Sequence, residues 1–238
     1  MPLWNRPAVN NKYTSNIDIA IMEARMQLVL LHAELFRNNL VVSTSGNISI
    51  RIENTDLFLI KPSGVSYALL SVENMVLCDL DGKVIAGSLG ADRKPSSDVA
   101  AHSFVYRNMS EIFGVVHTHS TYATAWAVRA EPIPCVLTAI ADEFGGEIPV
   151  GPFAAIGDDS IGIGIVETLA KHRSRAVLMQ NHGVFTIGVN AQSALKCAII
   201  LEDVAKTVHI SRQLGELVPI AKDVIEKLHN RYKIDYGQ

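Results

Sequence analysis

The stretch Val115-Val116-His117-Thr118-His119-Ser120 constrains this chain more than any other. Phe113 to Val116 is a short apolar run with β-branched residues, which reads as a buried strand. His117 and His119 stand two apart near its end, and alternate side chains of a strand point to the same face, so both imidazoles project to one side. Two neighbouring imidazoles are a natural bite for a divalent transition metal such as zinc. An isolated His-x-His at a strand end reads first as two histidines hydrogen-bonded to each other. Two further residues turn the balance toward a catalytic metal site: Asp98 at an expected helix start, and His182 within Gln180-Asn181-His182-Gly183. Three nitrogens and one carboxylate can hold an ion and still leave room for substrate.

A chain of 238 residues, 48% hydrophobic and 19% charged, carries enough apolar material for one large domain. Its formal net charge of -3 offers no basic field to nucleic acid or a membrane surface, so neither is an expected partner. Cys78, Cys135 and Cys197 are scattered without CxxC spacing and read as reduced, buried thiols of a cytoplasmic protein. Met1 to Tyr13 has no apolar signal core, and no apolar run of about 18 residues occurs. Residues 1–16 read as an N-terminal arm and 17–238 as a single domain.

Ile17 to Phe36 has the apolar spacing of a long amphipathic helix, with Ser15 as a cap and Asp18 in its first turn. Ser43-Thr44-Ser45-Gly46-Asn47 then leads into the alternating strand Ile48 to Arg51, and Asp56 to Ile60 reads as its hairpin partner. That partner runs into Lys61-Pro62-Ser63-Gly64. Either loop alone reads as an ordinary turn; both also have the small, hydroxyl-bearing character of an anion-binding nest. Asn74 to Leu80 and Lys83 to Ala86 suggest a second hairpin. Pro95-Ser96-Ser97-Asp98 opens a helix over Val99 to Asn108, and a helix N-terminus favours an anion, although capping alone would explain one serine and the aspartate. A third such loop beside an expected metal ligand points toward a phosphorylated substrate.

Thr121 to Arg129 reads as a helix. Ile133-Pro134 begins a short strand whose end places Asp142 among apolar residues before Phe144-Gly145-Gly146. Either N-capping or a functional role accounts for that carboxylate. Ile148 to Val150 is a brief strand, Ser160 to Lys171 a helix and Ala176 to Met179 a strand that continues past His182 and Gly183. The helices Ala191 to Leu214 and Ala221 to Arg231 precede a tail from Tyr232 to Gln238. Strands in hairpins and strands between helices together predict an α/β fold: one three-layer α/β/α domain around a mixed, largely antiparallel sheet.

The motifs Ser45-Gly46-Asn47, Lys61-Pro62-Ser63-Gly64, Lys94-Pro95-Ser96-Ser97-Asp98, His117-Thr118-His119 and Asn181-His182-Gly183, in that order, resemble the class II aldolase/adducin family from about Met22 onward. The resemblance implies Zn2+ (with Mn2+ or Co2+ as alternatives) on Asp98, His117, His119 and His182. It implies a sugar-phosphate substrate, and a homotetramer with active sites at its subunit interfaces. Within the family the chain is similar to the branch that epimerises L-ribulose 5-phosphate at C4. Asp98 follows the double serine where the fuculose-phosphate aldolase has Glu, Thr138 stands where that aldolase has a catalytic Tyr, and Asp142 where it has Ala. The ending Tyr236-Gly237-Gln238 resembles the epimerase tail that carries a catalytic tyrosine, and His229 the histidine that precedes it. Ser45 departs from the branch, replacing a tryptophan, and the loop after Pro149 is shorter.

By that resemblance, inversion proceeds through cleavage and re-formation of the C3–C4 bond, with Asp142 and Tyr236 as the acid–base pair. Gly46, Asn47, Ser63, Gly64, Ser96 and Ser97 would hold the phosphate. Lys61 would either reinforce that binding or stand exposed. The rivals are an aldolase that releases both fragments, a decarboxylase of a phosphorylated keto acid, and an adducin-like structural module without a metal.

Overall fold

Alternation along the first strand sets the layering. In β1 (Asn47–Ile52) Ile48, Ile50 and Ile52 fall on one face and Asn47, Ser49 and Arg51 on the other. The structure, a computed structural model, describes residues 15–236. The arm expected over 1–16 therefore lies outside the described residues up to Thr14, as do Gly237 and Gln238.

β1 joins β2 (Leu57–Ile60), β3 (Val76–Asp79), β4 (Gly114–Thr118), β5 (Val150–Gly151), β6 (Ala176–Met179) and β7 (Gly183–Gly188) in a seven-stranded sheet of order β3-β2-β1-β4-β7-β6-β5. Every neighbouring pair is antiparallel except the parallel pair β5–β6, so the sheet is mixed and largely antiparallel.

On one face Ile48, Ile50, Leu59, Leu77 and Val116 pack beneath α1 (Ser15–Arg37) and the start of α6 (Ala191–Leu214). The same face continues through Ala176, Leu178 and Val184 beneath α3 (Thr121–Val128), α4 (Thr138–Phe144) and the rest of α6. The opposite face, with Phe58, Val115, Val177 and Phe185, is covered by α2 (Val99–Asn108) and α5 (Ser160–Leu169). The result is the expected three layers. α7 (Lys222–Arg231) packs on α4, and Tyr232–Tyr236 prolongs it as a wide helical turn rather than a loose tail.

α1 buries Ile21, Ala24, Leu28, Leu31 and Leu35, the three-and-four spacing of an amphipathic helix. Fully buried leucines such as Leu28 and Leu35 contribute roughly 1.5–3 kcal/mol each relative to exposure. Arg25 shares that buried side, and its guanidinium donates to the carbonyls of Val72, Met75 and Leu89, tying down the chain around β3. Ser15 is the first residue of α1, and its side chain lies outside the described atoms.

Other sequence expectations change as well, and the strand expected to run on past His182 and Gly183 is two antiparallel strands, β6 and β7, joined by a hairpin. Thr138–Phe144 is helical, not a strand end: the strand expected from Ile133 amounts to a single bridge between Ile133 and Ile148, with Pro134 next to it removing a donor. Asp142 therefore sits in the last turn of a helix and cannot be an N-cap. Lys83–Ala86 forms one bridge, Cys78 to Val84, instead of a paired strand. Cys135 is half-buried, unlike Cys78 and Cys197. Among the described residues no helix is long and apolar enough to cross a membrane.

Gly114 lets α6 start directly against β4. A Cβ there would lie 2.4 Å from the backbone of Ala191, which cannot swing aside as a flexible side chain would. Gly114→Ala is expected to lower unfolding free energy by at least about 2 kcal/mol in urea titration. An unchanged midpoint would show that this contact is not close in the folded protein.

Candidate metal centre

The antiparallel register of β4 and β7 pairs Thr118 with Val184, so the end of one strand lies beside the start of the other. His182 is the last residue of the tight connection between Met179 and Gly183, which are paired across β6 and β7. Asn181 turns that corner at φ 56°, a conformation asparagine tolerates. Gly183 closes it: a Cβ would meet the Thr118 carbonyl oxygen at 2.6 Å and the His117 and His119 rings at 3.2 Å. The glycine is what allows the hairpin to bring His182 onto the other two histidines.

One ring nitrogen each from His117, His119 and His182 lie within 4.8 Å of one another. The Nε2 atoms of His117 and His119 are 2.9 Å apart, as the shared strand face predicts. His117 stacks on Phe185 with ring centroids 4.2 Å apart. Its Nδ1 is 2.8 Å from the Val184 carbonyl, which can only accept, so Nδ1 carries the proton and Nε2 presents a lone pair. Asp98 is the N-cap residue of α2 but makes no capping bond. Its Oδ2 instead accepts from Asn47 Nδ2 at 2.9 Å and Ser96 Oγ at 3.3 Å. Its two oxygens each lie 4.0 Å from an imidazole, Oδ2 from His117 Nε2 and Oδ1 from His182 Nε2.

These residues fit a divalent transition metal. Donors sharing a tetrahedral ion at roughly 2.0–2.2 Å stand about 3.4 Å apart, within the range seen here. Asp98 Oδ1 and both nitrogens of His182 are buried without hydrogen-bond partners among the described residues. Each such orphan costs about 1–3 kcal/mol, and an ion would satisfy the oxygen and one of the nitrogens. Burial pushes His117 down to about 4, outweighing the opposing pull of Asp98. Burial likewise lowers His119 and His182. All three are therefore neutral near pH 7, the form that ligates metal. Burial works against the charge on Asp98, but His117, His102, His182 and the Asn47 amide together hold it below the usual carboxylate value.

The loops at Lys61–Gly64 and Lys94–Ser97 are laced together, Ser63 N–H donating to the Lys94 carbonyl and Ser96 N–H to that of Lys61, both at 2.9 Å. Ser63, Gly64 and Ser97 are exposed. Asn47 and Ser96, expected as phosphate ligands, are buried and bonded to each other and to Asp98. Gly46 is buried against the His117 backbone. Lys61 is not exposed: at 2% exposure its Nζ donates to the Thr44 and Pro62 carbonyls and lies 5.4 Å from the Tyr67 ring centroid. Among the described residues no carboxylate comes within ion-pairing distance of it. Burial lowers its pKa and Asp98 raises it.

Asp142 does not join the triad within one chain. It lines a cavity of about 680 Å³ with Glu143, Arg175, Asn190, His229 and Tyr232, and its Oδ1 is buried without a partner among the described residues. Asn190 follows the far end of β7, which lies about 17 Å from Gly183 at a strand's rise per residue. His229 Nδ1 contacts the Asp142 carbonyl oxygen at 2.8 Å, and the Tyr232 hydroxyl donates to Glu143 at 2.8 Å. Tyr236 ends the turn after α7, and its side chain lies outside the described atoms.

Sequence reasoning missed His32, His102, Ser49 and Tyr106, all buried. His32 Nε2 accepts the Ile48 amide at 3.0 Å, which requires Nδ1 to donate to the Leu28 carbonyl. A signal for the others was present: Asp98, His102 and Tyr106 stand four apart on a helix, opposite alternating polar residues on β1.

Residues 26–209 match the model of the Class II Aldolase and Adducin N-terminal domain, and the chain belongs to that family. Among curated proteins it is similar to the L-ribulose-5-phosphate 4-epimerase UlaF of Salmonella paratyphi C, 35% identical over 218 residues, which is 88% of this chain and 94% of the relative. The Salmonella typhi counterpart is 36% identical over 204 residues, 82% of this chain and 88% of the relative. Among solved structures, an L-fuculose 1-phosphate aldolase superposes with TM-score 0.81 at 26% identity, covering 94% of this chain and 100% of its own. An L-fuculose-1-phosphate aldolase from Thermus thermophilus does so with TM-score 0.66 at 25% identity, covering 84% and 100%.

His119→Asn is expected to lower the bound metal content of purified protein while leaving unfolding nearly unchanged. Normal metal stoichiometry in that variant would remove His119 from the ligand set.

Proposed function

We propose that this chain is a metal-dependent sugar-phosphate 4-epimerase that interconverts L-ribulose 5-phosphate and D-xylulose 5-phosphate. The observation that carries this reading is the similarity, across most of both chains, to relatives named as L-ribulose-5-phosphate 4-epimerases.

His117, His119, His182 and Asp98 would hold the ion, Zn2+ first, with Mn2+ or Co2+ as alternatives. Once bound, it would act as a Lewis acid toward charge developing on the C2 and C3 oxygens of the sugar. The hydrogen on C4 is not acidic, so inversion there requires the C3–C4 bond to open and re-form on the other face of the aldehyde. One group must take the C4 hydroxyl proton and another must return a proton after the aldehyde turns. Asp142 and Tyr236 are assigned to these roles. The unpartnered buried oxygen of Asp142 supports a functional carboxylate. Its separation from the histidines supports a site completed by a neighbouring copy, in the head-to-tail arrangement of a cyclic homotetramer.

Lys61 is a buried cation whose hydrogen-bond partners are carbonyls, and such a charge is costly until an anion pairs with it. With the exposed Ser63, Gly64 and Ser97 it would hold the phosphate, and that grip would keep the two-carbon aldehyde from escaping between cleavage and re-addition. Gly46, Asn47 and Ser96 would back this pocket while Asn47 and Ser96 fix Asp98.

Likeness to the fuculose-phosphate aldolase fold favours a second reading, an aldolase that releases both fragments. The two readings separate in a sugar-phosphate screen with Zn2+, Mn2+ or Co2+ added. D-xylulose 5-phosphate formed from L-ribulose 5-phosphate without free aldehyde is the expected result. Stoichiometric free aldehyde would establish the aldolase instead, and no turnover of any pentulose phosphate would overturn the epimerase.

A further inference from the structure

The face of β1 that carries Asn47, Ser49 and Arg51 meets the face of α2 bounded by Asp98, His102 and Tyr106. Residues two apart on a strand and four apart on a helix keep the two rows in step. Every rung is hydrogen-bonded. Asn47 Nδ2 donates to Asp98 Oδ2 at 2.9 Å, and Arg51 Nη1 donates to the Tyr106 carbonyl at 2.9 Å. Between them, Ser49 Oγ lies 2.7 Å from His102 Nδ1 and 2.6 Å from the Tyr106 hydroxyl. Ser49 and His102 are wholly buried and Tyr106 nearly so. An apolar seam would hold a helix on a sheet with less desolvation cost. This one also leaves His102 Nε2 buried without a partner among the described residues, one helical turn from Asp98, whose Oδ1 is likewise unpartnered there. Phe185 links the seam to the histidine cluster, edge-on to His102 at 5.9 Å and stacked on His117.

We infer that the seam is a positioning device for the metal centre, in which His102, braced by Ser49 and Tyr106, governs the placement of Asp98. The inference rests on the metal-site reading and extends it to residues that would not touch the ion. With the Tyr106 hydroxyl donating to Ser49, and Ser49 to His102 Nδ1, the ring proton resides on Nε2. The anionic carboxylate one turn away favours that tautomer. A donor at Nε2 in turn restricts where the free oxygen of Asp98 settles. His102 is thus a positioning residue, not a catalytic one.

The test uses Co2+ titration of metal-free protein, followed by visible absorption and by affinity, so activity on any sugar is not needed. His102→Leu is expected to weaken Co2+ binding by about 10–100-fold and to alter the absorption bands of the bound ion. His102→Gln, which keeps an N–H donor, should recover most of the affinity. Tyr106→Phe, which removes one hydroxyl and keeps the ring, should shift affinity and spectrum the same way by less. A residue that merely supported the fold would lower the urea midpoint without changing the spectrum. Wild-type affinity and spectrum in His102→Leu, or in Tyr106→Phe should the leucine variant not fold, would overturn this inference alone. Absence of Co2+ binding by the wild type would overturn it together with the metal reading.

Discussion

The pairing of β4 with β7 is the constraint on which the rest depends. It sets two strand ends side by side and delivers two histidines from one and a third from the hairpin that opens the other. Moving that register by one residue would send His117 to the opposite face, among the side chains beneath α1 and α6. The glycines at its two ends serve the same pairing: Gly183 admits the His182 turn, and Gly114 admits the start of α6. A buried sheet with helices on both faces is a rigid frame for ligands, and binding groups held on such elements are more precisely placed than groups on loops.

The polar groups gathered at this end of the sheet are costly to the apo-protein. Neutral imidazoles with unused nitrogens, a carboxylate held ionised in a buried site, and a lysine bonded only to carbonyls all oppose folding unless something binds them. Two different ligands relieve two different parts of the cost. A cation answers the histidines and Asp98, and an anion answers Lys61. A metal-dependent enzyme acting on a phosphorylated substrate accounts for both in one site. Fold alone would not, because related frames serve unlike chemistry.

Much of this is legible in the sequence. Strand periodicity puts His117 and His119 on one face, and strands partly in hairpins and partly between helices imply the three layers. The stretch around His182, by contrast, reads as a strand running on past Gly183 and is a hairpin. What stays hidden depends on tertiary register. The polar residues of β1 look like a solvent-facing row until α2 covers them, so the four-residue spacing of Asp98, His102 and Tyr106 does not by itself say that Ser49 is what it meets. Lys61 could be a surface lysine by composition, and only the packing of Tyr67 and the laced loops buries it. Asp142 is misplaced by pattern alone because a short helix with mixed propensity between Pro134 and Gly145 resembles a strand end, and nothing local tells which end of the sheet it occupies.

The separation of Asp142 from the histidines makes a claim about assembly that subunit mixing tests directly. Chains with Asp142→Asn keep their metal ligands, and chains with His119→Asn keep their carboxylate. If the site is completed by a neighbour, unfolding and refolding an equal mixture should restore activity at about a quarter of sites, the share in which an intact metal site meets an intact carboxylate in a closed ring. Activity no greater than that of the separate variants, with mixed rings demonstrated by mass spectrometry, would contradict a site shared between subunits.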